Sequence, residues 1–165
     1  MIEVGQPFSL TLAATGGKAG YTWSVASGTS LPGGLTLDSA KGTITGNPTT
    51  AGTAVVKVTA TDSLGLQTTV DVKVAIASQL AIANLPLRVG KVGASYHARL
   101  YASGGVAPRS WTILRGTLPT GIHLNARTGQ LTGKPTKAGR SRVTFQVTDK
   151  LGVVSKATFV LRVTS

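Results

Sequence analysis

The side chains best suited to recognise a partner are the arginines and lysines in the second half of the chain. The planar guanidinium of arginine donates through a fork that fits sulfate, phosphate and carboxylate groups. Residues 1–77 carry four basic residues and four acids, whereas residues 78–165 carry the other 13 of the 17 basic residues and one acid, Asp149. The whole net charge of +12 therefore lies in the second half. This asymmetry indicates a polyanionic partner.

Ten of these basic residues form the candidate polyanion site, in two groups. The first group is expected to point outward from strands and to line a groove if those strands share one sheet. Its members are Arg99, Arg109, Arg142, Lys156 and Arg162. The second group falls in predicted loops and would form an end-on cluster. Its members are Arg115, Arg127, Lys134, Lys137 and Arg140. The competing interpretation is a scattered set of charges that only keeps the surface soluble.

The expected ligand is an acidic polysaccharide, a wall polymer or extracellular DNA. Tyr101 is the only aromatic candidate outside the predicted core, so strong base stacking and sequence-specific nucleic-acid readout are not expected. No apolar run approaches the roughly 20 residues of a membrane helix, and no signal peptide precedes the first strand pattern. We therefore expect no membrane insertion. Either the chain is a fragment of a longer protein or it is not exported by the signal-peptide route, and we favour the fragment.

Catalytic chemistry is not supported by the residues present. The two histidines, His97 and His123, have no nearby acid that would orient them as a general base. The second half has a single acid, so a pair of carboxylates for glycoside chemistry is missing there. The chain has no cysteine. A Gly-rich phosphate-binding loop leads into a helix. Gly16-Gly17 and Gly104-Gly105 lead into strands, so they are predicted to be turns. We predict no enzyme activity, no cofactor and no metal.

The elements that position these residues belong to one pattern that occurs twice. Trp23 returns as Trp111 at an offset of 88 residues, and after one residue is dropped Pro48 returns as Pro135 at an offset of 87. A repeat of this length indicates a pair of small domains, because solenoids repeat at roughly 20 to 50 residues. The predicted domains are residues 1–77, which are net neutral, and residues 78–165, which are strongly basic.

Apolar and polar residues alternate with a period of two in both copies, which predicts strands with one buried face. The fold class is therefore all-β: two tandem antiparallel β-sandwiches joined by a short linker. The predicted anchors of the cores are Trp23, Trp111, Phe145 and Phe159. Short hairpin turns are predicted where an aspartate accepts from the backbone and a glycine supplies a positive φ. These turn residues are Asp62, Gly65, Asp149 and Gly152.

The two copies differ at their openings. The second begins with the apolar segments 80–82 and 85–87, which have no counterpart in the first. We therefore expect the first sandwich to lack an opening strand. An alternative function follows, in which the chain is a self-assembling subunit or spacer that completes its first sandwich with a strand from another chain. A weaker alternative is an accessory carbohydrate-binding module of a larger enzyme.

The repeated motif resembles the bacterial Ig-like repeat family, close to the dystroglycan-type cadherin-like domains. In the first copy it reads Trp23, Leu31-Pro32-Gly33-Gly34-Leu35-Thr36-Leu37-Asp38, Gly42-Thr43-Ile44-Thr45-Gly46-Asn47-Pro48, Gly52, Thr61-Asp62 and Gly65. In the second it reads Trp111, Leu118-Pro119-Thr120-Gly121-Ile122-His123-Leu124-Asn125, Gly129-Gln130-Leu131-Thr132-Gly133-Lys134-Pro135, Gly139, Thr148-Asp149 and Gly152.

The resemblance implies Ig-like/cadherin-like sandwiches in large secreted or surface-attached bacterial proteins, where tandem arrays act as spacers, adhesins or modules beside enzymes. Cadherin-like arrays are often stiffened by Ca²⁺ held between domains by several carboxylate and amide oxygens. This chain has five acids in all, and residues 78–87 contain none. We therefore expect no calcium site at the junction. The favoured function is a structural and adhesive surface module whose basic domain contacts an anionic polymer.

Overall fold

The computed structural model describes all residues, 1–165, and every regular element in it is a β-strand. The chain divides into two compact units, Met1–Gln79 and Leu80–Ser165, each with its own hydrophobic core. The division lies two residues beyond the boundary expected from the repeat. We call the units the first and the second domain.

The first domain has seven strands in two sheets. The strands are β1 (Ile2–Glu3), β2 (Phe8–Thr11), β3 (Thr22–Val25), β4 (Leu35–Asp38), β5 (Thr43–Gly46), β6 (Gly52–Thr61) and β7 (Gln67–Ala77). One sheet has the order β1-β7-β6-β3 and the other the order β2-β5-β4. Long β6 and β7 form a hairpin that supplies most of one wall of the core.

The second domain repeats this arrangement and adds two short strands. Its strands are β8 (Ala81–Ile82), β9 (Gly90–Lys91), β10 (Tyr96–Arg99), β11 (Ala102–Ser103), β12 (Ser110–Arg115), β13 (Ile122–Leu124), β14 (Gln130–Gly133), β15 (Gly139–Thr148) and β16 (Val154–Thr164). The sheets have the orders β12-β15-β16-β9 and β10-β14-β13, and β8 pairs with β11. The β8–β11 pair has no counterpart in the first domain.

The period-two pattern explains which side chains enter the core. On β15, Val143, Phe145 and Val147 are fully buried, and the residues between them face outward. Phe145 meets Phe159 of β16 edge-to-face, with ring centroids 5.8 Å apart, a favoured geometry for aromatic pairs. Trp23 and Trp111 are 7% and 5% exposed, so both lie in the cores as the sequence predicts.

Each long hairpin closes on an aspartate that accepts several backbone hydrogen bonds. The Asp149 carboxylate accepts from the N–H groups of Leu151 and Val153 within the turn, and from Val106 N–H at 2.7 Å. Asp62 accepts in the same way in the first domain, from Leu64, Leu66 and, across the chain, Lys18. Each carboxylate therefore links its own hairpin turn to the loop that contains the Gly-Gly pair, Gly16-Gly17 in the first domain and Gly104-Gly105 in the second.

One pair of strands in each domain departs from the expected antiparallel arrangement. β1 runs parallel to β7, with Ile2 opposite Ile76, and β9 runs parallel to β16, with Gly90 opposite Val163. The alternation of apolar residues does not report strand direction, because the same pattern buries one face in either orientation. β1 and β9 thus each lie at the sheet edge beside the last strand of their domain and run in the same direction as that strand.

Candidate polyanion-binding face

Five of the ten predicted basic residues lie on one face of the sheet β12-β15-β16-β9. We call this surface the basic face, and its members are Arg115, Arg140, Arg142, Lys156 and Arg162. All five side chains are exposed. The strands present them because Val143, Phe145 and Val147 of β15 point into the core and the residues that alternate with them must point out.

The register sets the neighbours within the basic face. Arg140 lies directly opposite Arg162, and Arg142 lies opposite Val160. Arg115 lies opposite Thr144, next to a bulge in β12. Side chains directly opposite each other on antiparallel strands have Cβ atoms about 4.5–5.5 Å apart. The guanidinium groups of three strands therefore share one surface.

No acid of the second domain neutralises this surface. Its only acid, Asp149, is 6% exposed and accepts three backbone hydrogen bonds. Both surface ion pairs, Lys41–Asp38 and Lys57–Asp71, belong to the first domain. The basic face therefore has the chemistry of an anion-binding surface.

The same face of the first domain carries different residues on the same strands. Its Lys57 and Asp71 form an ion pair with Nζ and Oδ1 2.8 Å apart. The second domain has Thr144 and Thr158 at these positions, with their hydroxyls also 2.8 Å apart. The first-domain equivalents of the basic-face residues on β15 and β16 are Thr53, Val55, Thr69 and Ala75. The scaffold therefore folds without this charge.

The grouping of basic residues differs from the predicted one. Arg99 lies on β10 in the other sheet, so it does not join Arg142 and Arg162. Arg115 and Arg140, expected in loops, are strand residues of the basic face. Alternation predicts which residues point outward, but it does not tell which strands share a sheet.

A second set of basic side chains lines a depression of about 220 Å³, formed in part by Arg99, Arg109, Arg127 and Tyr101. The guanidinium carbon of Arg99 lies 5.6 Å from the centre of the Tyr101 ring, within the range of a cation–π contact. Tyr101 is 53% exposed. The ring that could serve as an aromatic platform is therefore already in contact with an arginine.

Arg109 is tied to the backbone of its own domain. Its guanidinium donates to the carbonyl oxygens of Ala102 and Gly104. In the first domain the equivalent residue is Tyr21, whose hydroxyl donates to the carbonyl oxygen of Gly16, the equivalent of Gly104. Arg109 therefore stabilises the loop that contains Gly104-Gly105, a role that could not be predicted from the composition.

The remaining two lysines lie in a loop near the basic face. Lys137 and Arg140 line a depression of about 210 Å³ together with the segment 117–120. Lys134 is exposed and directly follows β14.

The two histidines lie on one sheet face, a relationship that the sequence reasoning missed. His97 on β10 and His123 on β13 both lie opposite Thr132 of the central strand β14. Strands in a sheet are about 4.8 Å apart, so the two Cα atoms are separated by about 10 Å. No group of three His, Cys, Asp or Glu side chains comes together in the structure to hold a metal ion.

Backbone hydrogen bonds set the acidity of two carboxylates in the first domain. The pKa of Asp62 lies below its usual value, chiefly because the Lys18 N–H donates a hydrogen bond to the carboxylate. Burial acts in the opposite direction and raises the pKa, and the N–H groups of the turn lower it further. The pKa of Asp38 is lowered in the same way by the N–H groups of Lys41 and Ala40. Both carboxylates therefore stabilise the fold in the charged form.

The structure contains no helix with the length and apolar character needed to cross a membrane.

Known proteins resemble the chain in sequence. It is 28% identical over 166 residues to the "Serine-rich adhesin for platelets" of Staphylococcus aureus and to that of strain MRSA252. Each alignment covers 99% of this chain. The chain spans only 7% and 12% of the length of these relatives.

Solved structures resemble it in fold. A 282-residue C-terminal fragment of intimin, solved in complex with the intimin-binding domain of the translocated intimin receptor, matches with a TM-score of 0.56 and 17% identity, over 96% of this chain and 60% of the fragment. The protocadherin GammaB4 extracellular domain matches with a TM-score of 0.51 and 14% identity, over 99% of this chain and 32% of that one. These likenesses show the fold alone and confirm two tandem Ig-like/cadherin-like sandwiches.

A family model described as "Putative Ig domain" matches residues 1–77 and again residues 80–164. The resemblance in the repeated Trp, Leu-Pro and Thr-Asp motifs is thereby confirmed. The chain consists of two consecutive copies of this domain and belongs to the Ig-domain family that the model defines.

Proposed function

We propose that the chain is a non-catalytic adhesion and spacer module of a bacterial surface protein, and that the basic face of its second domain contacts an anionic polymer. The observation that carries the proposal is the cluster Arg115, Arg140, Arg142, Lys156 and Arg162 on one sheet face without an acid. The related sequences named as adhesins support the adhesive role and the location at the cell surface.

The chemistry of the basic face favours sulfated or phosphorylated polymers. Four of its five members are arginines, which bind sulfate and phosphate through two parallel hydrogen bonds. The residues lie on three adjacent strands, of which the outer two are about 10 Å apart. The five residues fall at successive outward positions along β15 and its partner strands, so a linear polymer that runs along the strands would meet several guanidinium groups at once. Such binding depends on charge and is weakened by salt.

Binding of the full chain to heparin and to single-stranded DNA at several salt concentrations tests the proposal. The variant is Arg140→Thr, Arg142→Val and Arg162→Ala, which installs the residues of the first domain on the same scaffold. We expect affinity at low salt to fall at least tenfold. The slope of log K against log salt should become shallower by about 2, since each lost phosphate contact on a single strand removes about 0.7.

The matched control removes three positive charges elsewhere in the second domain. Arg127→Ala, Lys134→Asn and Lys150→Ser also install first-domain residues, and they lie outside the basic face. We expect this control to retain most of the affinity. An equal loss in both variants would show that total charge, not the basic face, governs binding. No binding of the unchanged chain at low salt would refute the polyanion role.

A carbohydrate-binding role for neutral sugars gains no support from the aromatic side chains. Such a site would need a row of exposed aromatic side chains whose apolar faces can pack against sugar rings. Trp23 and Trp111 are both buried in the cores. Tyr101 is exposed but has Arg99 over its ring.

A further inference from the structure

The depression of about 220 Å³ in the second domain has three arginines and a tyrosine in its lining. We call it the arginine depression, and these four residues are Arg99, Tyr101, Arg109 and Arg127. Its lining also includes Trp111, which is 5% exposed and belongs to the core. Sites that enclose drug-sized ligands have volumes of roughly 300–1,000 Å³. The arginine depression is therefore of a size for one small ring.

Backbone hydrogen bonds hold the chain segments around the arginine depression in place. The Leu100 N–H donates to the Gly129 carbonyl oxygen at 2.9 Å, and the Trp111 N–H donates to the Ala126 carbonyl oxygen at 2.7 Å. The equivalent N–H groups of the first domain make the same pair of bonds. The backbone of the depression is therefore a part of the scaffold that both domains share.

The side chains of the arginine depression are not part of this shared scaffold. At the four equivalent positions the first domain has uncharged residues. These residues are Thr11, Ala13, Tyr21 and Ala40. The scaffold therefore folds without the three guanidinium groups, and the exposed Arg99 and Arg127 are available for another role.

The turn that carries Arg127 has an uncharged acceptor where the first domain has an acid. In the first domain the Asp38 carboxylate accepts from two N–H groups of its turn and pairs with the Lys41 ammonium at 3.8 Å. In the second domain Asn125 Oδ1 accepts from the N–H groups of Arg127 and Thr128. The amide keeps the hydrogen bonds of the turn without a negative charge. The Arg127 guanidinium therefore has no acid in its own turn to pair with.

The other two guanidinium groups are held in place without an acid. Arg109 donates to two backbone carbonyl oxygens of the preceding loop. Arg99 lies against the Tyr101 ring, with 5.6 Å between the guanidinium carbon and the ring centre. The only acid of the domain, Asp149, accepts three backbone hydrogen bonds. These contacts orient the side chains and leave their positive charges for a bound anion.

We propose that the arginine depression binds one anionic sugar unit, a uronate or a sulfated sugar at the end of a glycan. Arg99 and Arg127 bind the carboxylate or sulfate through parallel N–H···O bonds, a geometry that the planar guanidinium favours. Tyr101, which is 53% exposed, packs against the apolar face of the sugar ring. Arg109 adds positive charge from a fixed position. A neutral sugar lacks the group that the arginines bind.

This site is separate from the basic face. Arg99 belongs to the sheet β10-β14-β13, whereas the basic face lies on the sheet β12-β15-β16-β9. The basic face is proposed to contact a polymer by charge, and the arginine depression to bind one sugar unit by charge and shape. Loss of either activity is therefore measurable while the other is intact.

Titration of the full chain with methyl glucuronide, followed by amide chemical shifts, tests the proposal. We expect the largest shifts in residues 99–102 and 126–128, which line or adjoin the depression. Methyl glucoside has a hydroxymethyl group in place of the carboxylate. It should bind at least about tenfold more weakly, because hydrogen bonds to an ionised group are the stronger ones. Glucose 6-sulfate presents the other anion on the same ring, and binding of neither anionic sugar would overturn the proposal.

The variant Arg99→Thr and Arg127→Ala installs the residues of the first domain. We expect its affinity for methyl glucuronide to fall at least about tenfold, because two charged donors are lost. A second variant, Arg99→Lys and Arg127→Lys, keeps the charge and guards against a loss of folding. It should also bind more weakly than the unchanged chain, because lysine cannot form the two parallel bonds.

The matched control is the basic-face variant Arg140→Thr, Arg142→Val and Arg162→Ala, which removes three charges. At 0.15 M salt exposed charges are screened over about 8 Å, so we expect the control to bind methyl glucuronide as the unchanged chain does. An equal loss in the control and in the variant of Arg99 and Arg127 would show that net charge governs binding, and would overturn the proposal.

The contribution of the sugar ring is measured with acetate, which carries the carboxylate alone. We expect acetate to bind more weakly than methyl glucuronide. Tyr101→Ala should weaken the binding of methyl glucuronide more than that of acetate, because it removes the surface on which the ring packs. Acetate that binds as tightly as methyl glucuronide would reduce the depression to a site for simple anions and would contradict the proposal.

Discussion

Arg140 and Arg162 lie directly opposite each other on the antiparallel strands β15 and β16, with no acid beside them. Like charges placed directly opposite in a sheet repel each other and destabilise the pair by several tenths of a kcal/mol. The first domain has Thr53 and Ala75 at these positions and carries no such repulsion. An anion that binds between the two guanidinium groups would convert this repulsion into attraction.

The first prediction concerns this pair. We expect Arg162→Ala to raise the free energy of unfolding of the second domain by about 0.5 kcal/mol at low salt, because it removes the repulsion from Arg140. The gain should disappear near 1 M salt, where charges are screened within about 3 Å. Urea denaturation at both salt concentrations measures it. Heparin should stabilise the unchanged chain more than the variant, and a variant less stable at low salt would contradict the argument.

The second prediction concerns the segment that completes the second sandwich. Leu80→Ala should lower the stability of the second domain by about 2–4 kcal/mol, because a buried leucine is truncated and leaves a cavity. The matched control is Leu66→Ala, at a residue that is 67% exposed, which should change stability by less than about 0.5 kcal/mol. Hydrogen exchange resolves the two domains in the same sample. Similar effects of the two substitutions would show that Leu80 contributes little to the core.

The third prediction compares a glycine beside a tryptophan with a glycine that has open space around it. Gly42 has a φ of +65°, and a Cβ there would lie 2.6 Å from the Trp23 indole. Gly65 has a φ of +84° and open space around it. We expect Gly65→Ala to cost about 1–2 kcal/mol for the left-handed backbone alone, and Gly42→Ala to cost about 1–3 kcal/mol more because the core is overpacked. Only Gly42→Ala should change tryptophan fluorescence, and equal costs would refute the steric account.

The fourth prediction concerns acid. The pKa values of Asp62 and Asp38 are lowered in the folded chain by backbone N–H donors. Their stabilising effect is therefore complete above the unfolded pKa of about 4 and is lost as pH falls toward the lower folded values. We expect the first domain to lose stability below about pH 4. Asp62→Asn should weaken this dependence on pH without abolishing it, since Asp38 remains. Denaturation at several pH values measures the slope, and an unchanged slope would contradict the role of Asp62.

The fifth prediction separates structure from binding at Arg109. Arg109→Ala should lower stability by about 1–3 kcal/mol, because the carbonyl oxygens of Ala102 and Gly104 lose their charged donor. Arg109→Tyr should restore part of this loss, since Tyr21 makes the equivalent bond in the first domain. Both variants should bind heparin with nearly unchanged affinity. A large loss of affinity in the tyrosine variant would place Arg109 in the binding surface.

Much of the fold could be predicted because it depends on local patterns. The alternation around Phe145 and Phe159 shows which face is buried, and the Asp-x-x-Gly spacing shows where hairpins turn. The direction of β1 and β9 could not be read, because alternation is the same in parallel and antiparallel pairs. The third hydrogen bond of each turn aspartate, which Lys18 N–H or Val106 N–H donates, could not be predicted either, because it joins residues far apart in the chain.

The candidate site was only partly predictable for a similar reason. Counting charges shows that the second domain is basic, and alternation shows that Arg142 and Arg162 point outward. The sheet to which a strand belongs depends on long-range pairing, so Arg99 was grouped with residues of another sheet. The role of Arg109 depends on a backbone carbonyl that only the folded loop brings near.

The parallel pairs β1–β7 and β9–β16 bear on how each domain responds to a pulling force. In the second domain the chain passes β8, runs along β9 and leaves along β16, and β9 and β16 are neighbours that run in the same direction. The Val92 N–H also donates to the Thr164 carbonyl oxygen at 2.9 Å, and the Val4 N–H donates to Ala77 in the first domain at 3.0 Å. Tension applied at the two ends of a domain therefore pulls the parallel strands past each other. The hydrogen bonds between them are loaded in shear and must break at the same time. Each domain thus resists extension along the chain most strongly where these two parallel strands pair.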